Sequence, residues 1–372
     1  MPWFKRVLFL VVVGSITYAL HFYIYQQFPI SIQQFISSFF PMMGTFIMCS
    51  YFTVGSVVST KNWRWMGWVS GLWMGVMFFL LILLGSLHVV TLLCHWMQWD
   101  IDRNMIALGL VALSLFLSLY GLTQAVKKPQ VKHVTLTLPQ LDSRLAGLKI
   151  VQLTDIHIGP TLGHSFMQHL VEVTQQQQAD LIVITGDLVD GEVELLQTQV
   201  APVFTLQAPL GVYFVTGNHE WISGAPQWVS YLQKGGIRVL QNEHVALSHQ
   251  ETYFNLIGVE DWDAQRFDAR YQADLTRAVD GMNSEYLSIL LAHQPKAAPQ
   301  ADQMKIDLQL SGHTHGGQIF PLHPLVKWDQ KYSRGLFQLD HLLLYVSQGT
   351  GYWGPPIRLA TRAEITVLSL QT

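Results

Sequence analysis

Five short apolar runs in this sequence end in residues that can bind a cation or move a proton. "KIVQLT" runs into Asp155, with His157 two residues further on. "LIVIT" ends at Gly186 and Asp187, and Asp190 closes the stretch "GDLVD". "VYFVT" ends at Gly217, Asn218, His219 and Glu220. "SILLA" ends at His293, and "LQLS" at Gly312, His313, Thr314 and His315. These are oxygen and nitrogen donors without a thiolate, a set that suits Mn, Fe or Zn better than a structural Cys-type zinc site. Taken singly, each has a plainer use: Asp187 in a turn, Asn218 in a left-handed turn, His293 as a structural imidazole. The repetition of one pattern at five strand ends sets them apart.

The donors outnumber what one ion needs. Two divalent ions about 3.5–4 Å apart, sharing a bridging carboxylate, would use all of them. Gly186, Gly217 and Gly312 stand just before candidate ligands, where a missing Cβ lets the backbone turn and come close.

The apolar runs are the elements that must position these groups. "HVTLTL" alternates strictly and reads as an edge strand. "LKIVQL", "DLIVIT", "GVYFVT", "LSILLA", "IDLQLS", "HLLLYVS" and "EITVLSL" read as further strands. "HSFMQHLVEVTQQQQ" and "DARYQADLTRAV" have the spacing of amphipathic helices. The class is α/β, with strands enough for two sheets. In such sheets ligands bind beyond the carboxyl ends of the strands, where the five motifs stand.

Read in order, "DIH", "GDLVD", "GNHE", "AH" and "GHTH" resemble the signature of the calcineurin-like metallophosphoesterases, over about residues 149–318. "GPPIRL" and the strand after it are similar to that family's ending. The resemblance implies a calcineurin-like four-layer fold, two packed mixed β-sheets flanked by helices. It implies two divalent metal ions (Mn, Fe or Zn). One would be held by Asp155, His157, Asp187 and His315, the other by Asp187, Asn218, His293 and His313, with Asp187 bridging. The reaction implied is hydrolysis of a phosphoester, the cations clamping the phosphoryl oxygens and activating a water. His219 would give a proton to the departing alkoxide. Asp190 either orients His219 or caps a helix. Arg358 is a candidate phosphate clamp, with a structural salt-bridge arginine as the alternative. Glu220 stands where many members have Asp and is expected to be a minor variation. His164 reads as a helix cap or a solvated side chain.

The first third is of another kind. The 372-residue chain is 50% hydrophobic and only 13% charged, with a mean hydropathy of +0.26. Segments near Val7–Tyr25, Pro41–Val58, Met66–Leu87 and Met105–Thr123 contain no Asp, Glu, Lys or Arg. Each approaches the roughly 20 residues that span a bilayer. Lys5, Arg6, Lys61, Arg64, Lys127, Lys128 and Lys132 fall on one side of that arrangement, and Arg103 alone on the other. The positive-inside rule then expects a multi-pass membrane protein with both termini and the catalytic domain cytoplasmic. Lys5 and Arg6 could also begin a signal peptide, but no small-residue cleavage site follows. The expected domains are a transmembrane region 1–128 (spans about 7–25, 41–58, 66–87 and 105–123), a linker and first strand 129–148, and the phosphoesterase domain 149–372. His21, His88 and His95 read as interfacial or interhelical polar groups.

The net charge of −3 has no like-charged block, so nucleic acid is not expected as a partner. The only cysteines, Cys49 and Cys94, exclude a disulfide framework. The expected partners are a phosphoester substrate and membrane lipid. A lipid-linked phosphodiester or pyrophosphate ranks first, by analogy with members resembling UDP-diacylglucosamine hydrolases, then a nucleotide, then a phosphoprotein. Tyr352, Trp353, Trp221 and Trp262 are candidates to hold an acyl chain or enter the membrane interface. A passive anchor, and a non-catalytic membrane scaffold on a decayed domain, are the alternatives. Every motif position is filled, which weighs against decay.

Overall fold

Pro29 has no N–H to continue a helix, so the first long apolar helix ends beside it and a short one starts. The computed structural model describes residues 3–36, 39–57, 64–139 and 141–372. The chain divides into two compact units, Met1–Val126 with Gly354–Ile357, and Lys127–Trp353 with Arg358–Thr372.

The first unit carries helices α1 (Trp3–Gln27), α2 (Ile30–Ile36), α3 (Phe39–Val57), α4 (Arg64–Trp96) and α5 (Arg103–Ala125). Val7–Gln27, α4 and α5 are long and apolar enough to cross a membrane. A fourth span results if α2 and Phe39–Ser50, which meet at 63°, count as one. Four separate straight spans are therefore an approximation. Between the first two expected spans lies α2, whose start uses the Pro29 carbonyl as acceptor for Ile32 and Gln33. Val58, at the expected end of the second span, and Lys61, in the charge pattern, lie outside the described residues. The third span runs past Leu87 to 33 residues. Two of its polar groups are absorbed between helices: Trp73 Nε1–H donates to His21 Nε2 at 2.9 Å, and His88 Nδ1 lies 3.1 Å from Tyr23 Oη.

The second unit is built on twelve strands among the described residues: β1 (Gln130–Thr137), β2 (Lys149–Leu153), β3 (Leu181–Thr185), β4 (Val212–Val215), β5 (Arg238–Val239), β6 (Glu243–His249), β7 (Thr252–Gly258), β8 (Leu287–Leu291), β9 (Leu308–Ser311), β10 (Gly335–Gln338), β11 (Leu343–Val346) and β12 (Glu364–Gln371). They form two six-stranded mixed sheets, in the orders β1-β12-β2-β3-β4-β5 and β10-β11-β9-β8-β7-β6. Its helices are α6 (His164–Gln176), α7 (Val193–Val200), α8 (Asn218–Ser223), α9 (Ala225–Lys234), α10 (Ala264–Phe267), α11 (Leu275–Val279), α12 (Ala298–Gln303) and α13 (His323–Gln330).

Alternation along the strands divides the apolar side chains between two layers. Ile150, Val183, Leu256, Ile289, Leu310 and Leu368 fill one cluster drawn from both sheets. Ile257, Leu290 and Leu344, one position out of phase, join Leu275, Ala278, Ala298 and Ala301 from α11 and α12 in another. Strands β2, β3 and β4 run parallel to one another, as do β7, β8, β9 and β11. Each set therefore delivers its carboxyl-terminal loops at one edge.

The edge strand "HVTLTL" falls in β1 except for its last residue, Leu138, and β1 is paired only with β12. The β6–β7 hairpin, by contrast, has no counterpart among the expected strands. The helix expected over "DARYQADLTRAV" contracts to α11. Asp268 binds the Arg270 N–H and guanidinium, forming a turn, and Asp274 caps α11 by accepting from Arg277 N–H.

Leu256→Ala should cost about 2–5 kcal/mol, because its side chain is fully buried in the shared core and leaves a cavity. A lowered thermal midpoint with unchanged metal stoichiometry is the expected measurement. An unchanged midpoint would mean that this layer is not close-packed.

Candidate metal centre

Asp155 and His157 follow β2, Asp187 and Asp190 follow β3, Asn218 and His219 open α8 after β4, His293 follows β8, and His313 and His315 follow β9. The loops bring these groups together, with Asp155, His157, Asp187, His293 and His315 all buried. Ligand atoms of Asp155, His157 and His315 lie within 4.8 Å of one another, as do those of Asp187, His293 and His313, and those of His157, Asp187 and His219. Asp187 stands between the two halves: its Oδ2 is 3.1 Å from His293 Nε2 and 3.8 Å from His157 Nε2.

The hydrogen bonds fix which nitrogen each imidazole offers. His293 sets Nδ1 against the Thr185 carbonyl at 2.7 Å, which makes Nδ1 the donor and leaves Nε2 toward Asp187. One oxygen of Asp190 faces two rings, 2.8 Å from His157 Nδ1 and 2.7 Å from His219 Nδ1. Each Nδ1–H donates there, which leaves His157 Nε2 toward His315 and Asp187. Glu192, not Asp190, occupies the N-cap of α7, so the orienting role and not the capping role matches this geometry. The His219 backbone N–H also donates to Asp187 Oδ1 at 2.9 Å.

Donor atoms face donor atoms throughout. His157 Nε2 lies 3.0 Å from His315 Nε2, and His313 Nδ1 lies 3.2 Å from His293 Nε2. Asn218 Oδ1 is buried and without a hydrogen-bond partner. Burial first, then the charge on His293, pushes His313 down to about 3. Burial, then His157, also pulls His315 well below the ordinary imidazole value. Both stay neutral at physiological pH, the form in which an imidazole binds a metal. An orphaned amide oxygen and converging neutral imidazoles beside buried carboxylates fit a site for cations.

Burial opposes the charge on His219, but Asp187 and then Asp190 more than offset it and raise this imidazole to about 9. The two histidines in turn hold Asp190 well below the usual carboxylate range, against the effect of burial.

The backbone is strained where these groups stand. Asp155, His157, Asp187, His313 and His315 all have left-handed φ, between 48° and 69°. Such a conformation costs a non-glycine residue of order 1–3 kcal/mol and persists only where surrounding contacts over-determine it. Gly217 and Gly312 allow the approach: a Cβ on either would fall on the Asp187 or Asp155 carboxylate.

Glu220 supplies much of that over-determination, and its role is larger than a variation on Asp. Its fully buried carboxylate accepts from the N–H groups of Gly217 at 2.7 Å, Asp187 at 2.9 Å, Leu188 at 2.8 Å and Val189 at 3.3 Å. Burial, then Asp187, pushes this carboxyl up to about 8, while its backbone donors favour the anion. The signal was present in the sequence as Glu three residues after Gly217, the spacing of a capping box.

Arg358 differs from the expected phosphate clamp. It is fully buried, and its guanidinium donates to the carbonyls of Gly351 at 2.6 Å and Gln348 at 2.8 Å. The same nitrogen, Nη2, lies 3.4 Å from His315 Nδ1, while Nε–H donates to the Gly351 carbonyl at 3.2 Å and Nη1–H to Thr361 Oγ1 at 3.3 Å. A guanidinium so occupied with backbone holds the loop after β11 behind His315 and has no face left for a substrate. Gly163, not His164, is the N-cap of α6; the His164 side chain is exposed, and only its backbone N–H makes a contact, to Gln199 Oε1 at 2.9 Å.

The calcineurin-like phosphoesterase family model matches residues 148–317. A Danio rerio protein described as a transmembrane protein with metallophosphoesterase domain is 39% identical over 265 residues, 68% of this chain and 60% of its own length. A Campylobacter jejuni protein described as an uncharacterized metallophosphoesterase is 37% identical over 271 residues, 72% of this chain and 70% of its own. Among solved structures, a dimetal phosphatase from Danio rerio aligns with a TM-score of 0.34 at 11% identity, over 55% of this chain and 88% of that one. The chain spans about three fifths of the length of the Danio rerio and Bos taurus relatives it matches.

Glu220→Ala should destabilise the second unit by about 3–5 kcal/mol, since it strands buried backbone donors. Bound metal, counted by elemental analysis, should fall with it. Retention of both parental stability and parental metal content would show that Glu220 does not hold the Asp187 loop in place.

Proposed function

The chain belongs to the calcineurin-like metallophosphoesterase family, and from that premise we propose that it is a membrane-anchored two-metal phosphoesterase. Its substrate on this reading is a lipid-linked phosphodiester or pyrophosphate at the cytoplasmic face. The observation that carries the catalytic part is the inward convergence of donors with Asn218 Oδ1 left unpartnered among them.

Asp155, His157, Asp187 and His315 would hold one ion, and Asp187, Asn218, His293 and His313 the other. When bound, two divalent cations supply charge neutralisation at the phosphoryl group and an acidified water nucleophile. The chain's own residues do the rest. Asp190 fixes the His219 ring through Nδ1, which leaves Nε2–H to protonate the departing oxygen. Glu220 keeps the Asp187 loop in register with α8. Arg358 keeps the loop after β11 behind His315.

The lipid assignment rests on tether and surface. Only Val126–Pro129 separate α5 from β1, a reach of roughly 14 Å at full extension. Trp353 is 54% exposed, and its ring meets His219 edge-on at 5.8 Å between centroids. Trp262 is also exposed, whereas Tyr352 and Trp221 are buried and cannot hold an acyl chain. An apolar wall beside a proton donor supports a substrate whose reactive phosphate adjoins a greasy group.

Asp187→Asn should abolish metal-dependent hydrolysis, because the one side chain facing both halves loses its charge. His219→Ala should lower turnover by about 10²–10⁴ while metal content stays parental. Loss of metal in that variant would overturn the proton-donor role of His219. Full-length protein assayed with Mn should cleave a lipid-linked pyrophosphate in micelles better than bis-p-nitrophenyl phosphate. Cleavage of the small diester alone would remove the lipid assignment. A reporter fused after Thr372 should report from the cytoplasm.

A further inference from the structure

Beyond the metal centre, the segment after the last histidine motif presents its largest apolar side chains to the outside. Phe320 is 56% exposed, Leu325 61% and Trp328 86%. Leu325 and Trp328 are three apart on α13 and so share one helix face. A tryptophan so bare is unusual on a soluble surface and marks a contact site. This patch is also tied to the wall beside His219. Gln318 grips the backbone of Trp353 at both ends of its amide, Nε2–H to the Trp353 carbonyl at 2.8 Å and Oε1 from the Trp353 N–H at 3.0 Å. Two residues later Phe320 N–H donates to the Leu359 carbonyl at 3.2 Å.

The charge on and beside α13 is positive on balance. Lys327 and Lys331 bracket Trp328 in sequence. The one acid on α13, Asp329, is neutralised by Lys296 at 3.3 Å. Tryptophan and leucine on one face with lysines at its border is the composition of a helix that lies in a membrane interface, its rings among the headgroups and its ammonium groups against anionic lipid. The same chain carries helices long enough to cross a bilayer, joined to this domain by the four residues Val126–Pro129.

We infer that Phe320 and α13 seat on the lipid surface of the membrane that anchors the chain, with Leu325 and Trp328 in the interface and Lys327 and Lys331 on anionic headgroups. This rests on the membrane-anchored reading, and not on the substrate being a lipid. Such seating would set the rim of the metal centre against the bilayer, so that a substrate held in the membrane reaches it by lateral diffusion.

The test uses the full chain in phosphatidylcholine nanodiscs with and without phosphatidylglycerol. In the unmodified protein, hydroxyl-radical footprinting should find Trp328 protected, despite its exposure, relative to the less exposed Trp262. A bimane label at Trp328→Cys, in a Cys49→Ser, Cys94→Ser background, should be quenched by brominated lipid at least roughly threefold more than one at Tyr253→Cys. Phosphatidylglycerol should raise that ratio. Equal quenching at the two positions, or a Trp328 oxidised as fast as in detergent-free water, overturns the proposal. So does a label shielded from both brominated lipid and aqueous iodide, which would indicate a protein partner or a second copy. The double variant Leu325→Ser, Trp328→Ser should keep its turnover of bis-p-nitrophenyl phosphate. If the lipid pyrophosphate proves not to be a substrate while position 328 is still quenched, the docking surface stands and only the substrate assignment falls.

Discussion

The second unit depends on one carboxylate, Asp187, being held where two sets of candidate ligands meet. Its Oδ2 faces His293 and, farther off, His157. Its Oδ1 takes the His219 N–H, and its own N–H is held by Glu220. Parallel strands β2, β3, β4, β8 and β9 each end on this point because both sheets present carboxyl ends to the same crevice. Moving Asp187 by an ångström would disturb the approach of every other loop. The close backbone contact at Gly217 leaves no space to take up such a shift.

Holding like groups together has a cost, and the fold meets it in two ways. One is electrostatic. Anionic Asp187 and Asp190 lie among imidazoles, so protons can balance charge locally where no cation does. The other is steric and local: left-handed backbone at Asp155, His157, Asp187, His313 and His315 aims each side chain inward. Strain of that kind relaxes unless neighbours prevent it. Glu220 on one side and Arg358 on the other, both fully buried and both bonded mainly to backbone, are those neighbours. The geometry of a site built this way rests largely on hydrogen bonds to backbone groups.

How much of this was legible in the sequence follows from where each feature's cause lies. Strands such as "LIVIT" and "LQLS" carry their burial in their own composition, and the polar residues at their ends carry the site. The β6–β7 hairpin alternates weakly, with polar His244, Ser248 and Asn255 in it, and it joins the sheet through β8, roughly thirty residues further on. The helix expected at 268–279 fails because Asn242, from another loop, accepts the Asp274 N–H and donates to the Gln272 carbonyl. Arg358 has the chemistry of a phosphate ligand, and that is all its own sequence context conveys. Its burial among carbonyls is a property of tertiary structure that no local pattern announces.

Asp190 shows why the roles in this centre cannot be assigned one at a time. A single oxygen of this residue serves His157 and His219 together. The two rings stand nearly perpendicular, with centroids 4.7 Å apart, so neither can swing without displacing the other. His157 faces the proposed cation site and His219 faces outward to Trp353. The group that orients the proposed proton donor is thus the same group that sets the tautomer of a candidate ligand. A carboxylate shared in this way ties the charge states of the two imidazoles together through one atom. The spacing between the His157 and His219 rings is then fixed by hydrogen-bond lengths rather than by the positions of two independent loops.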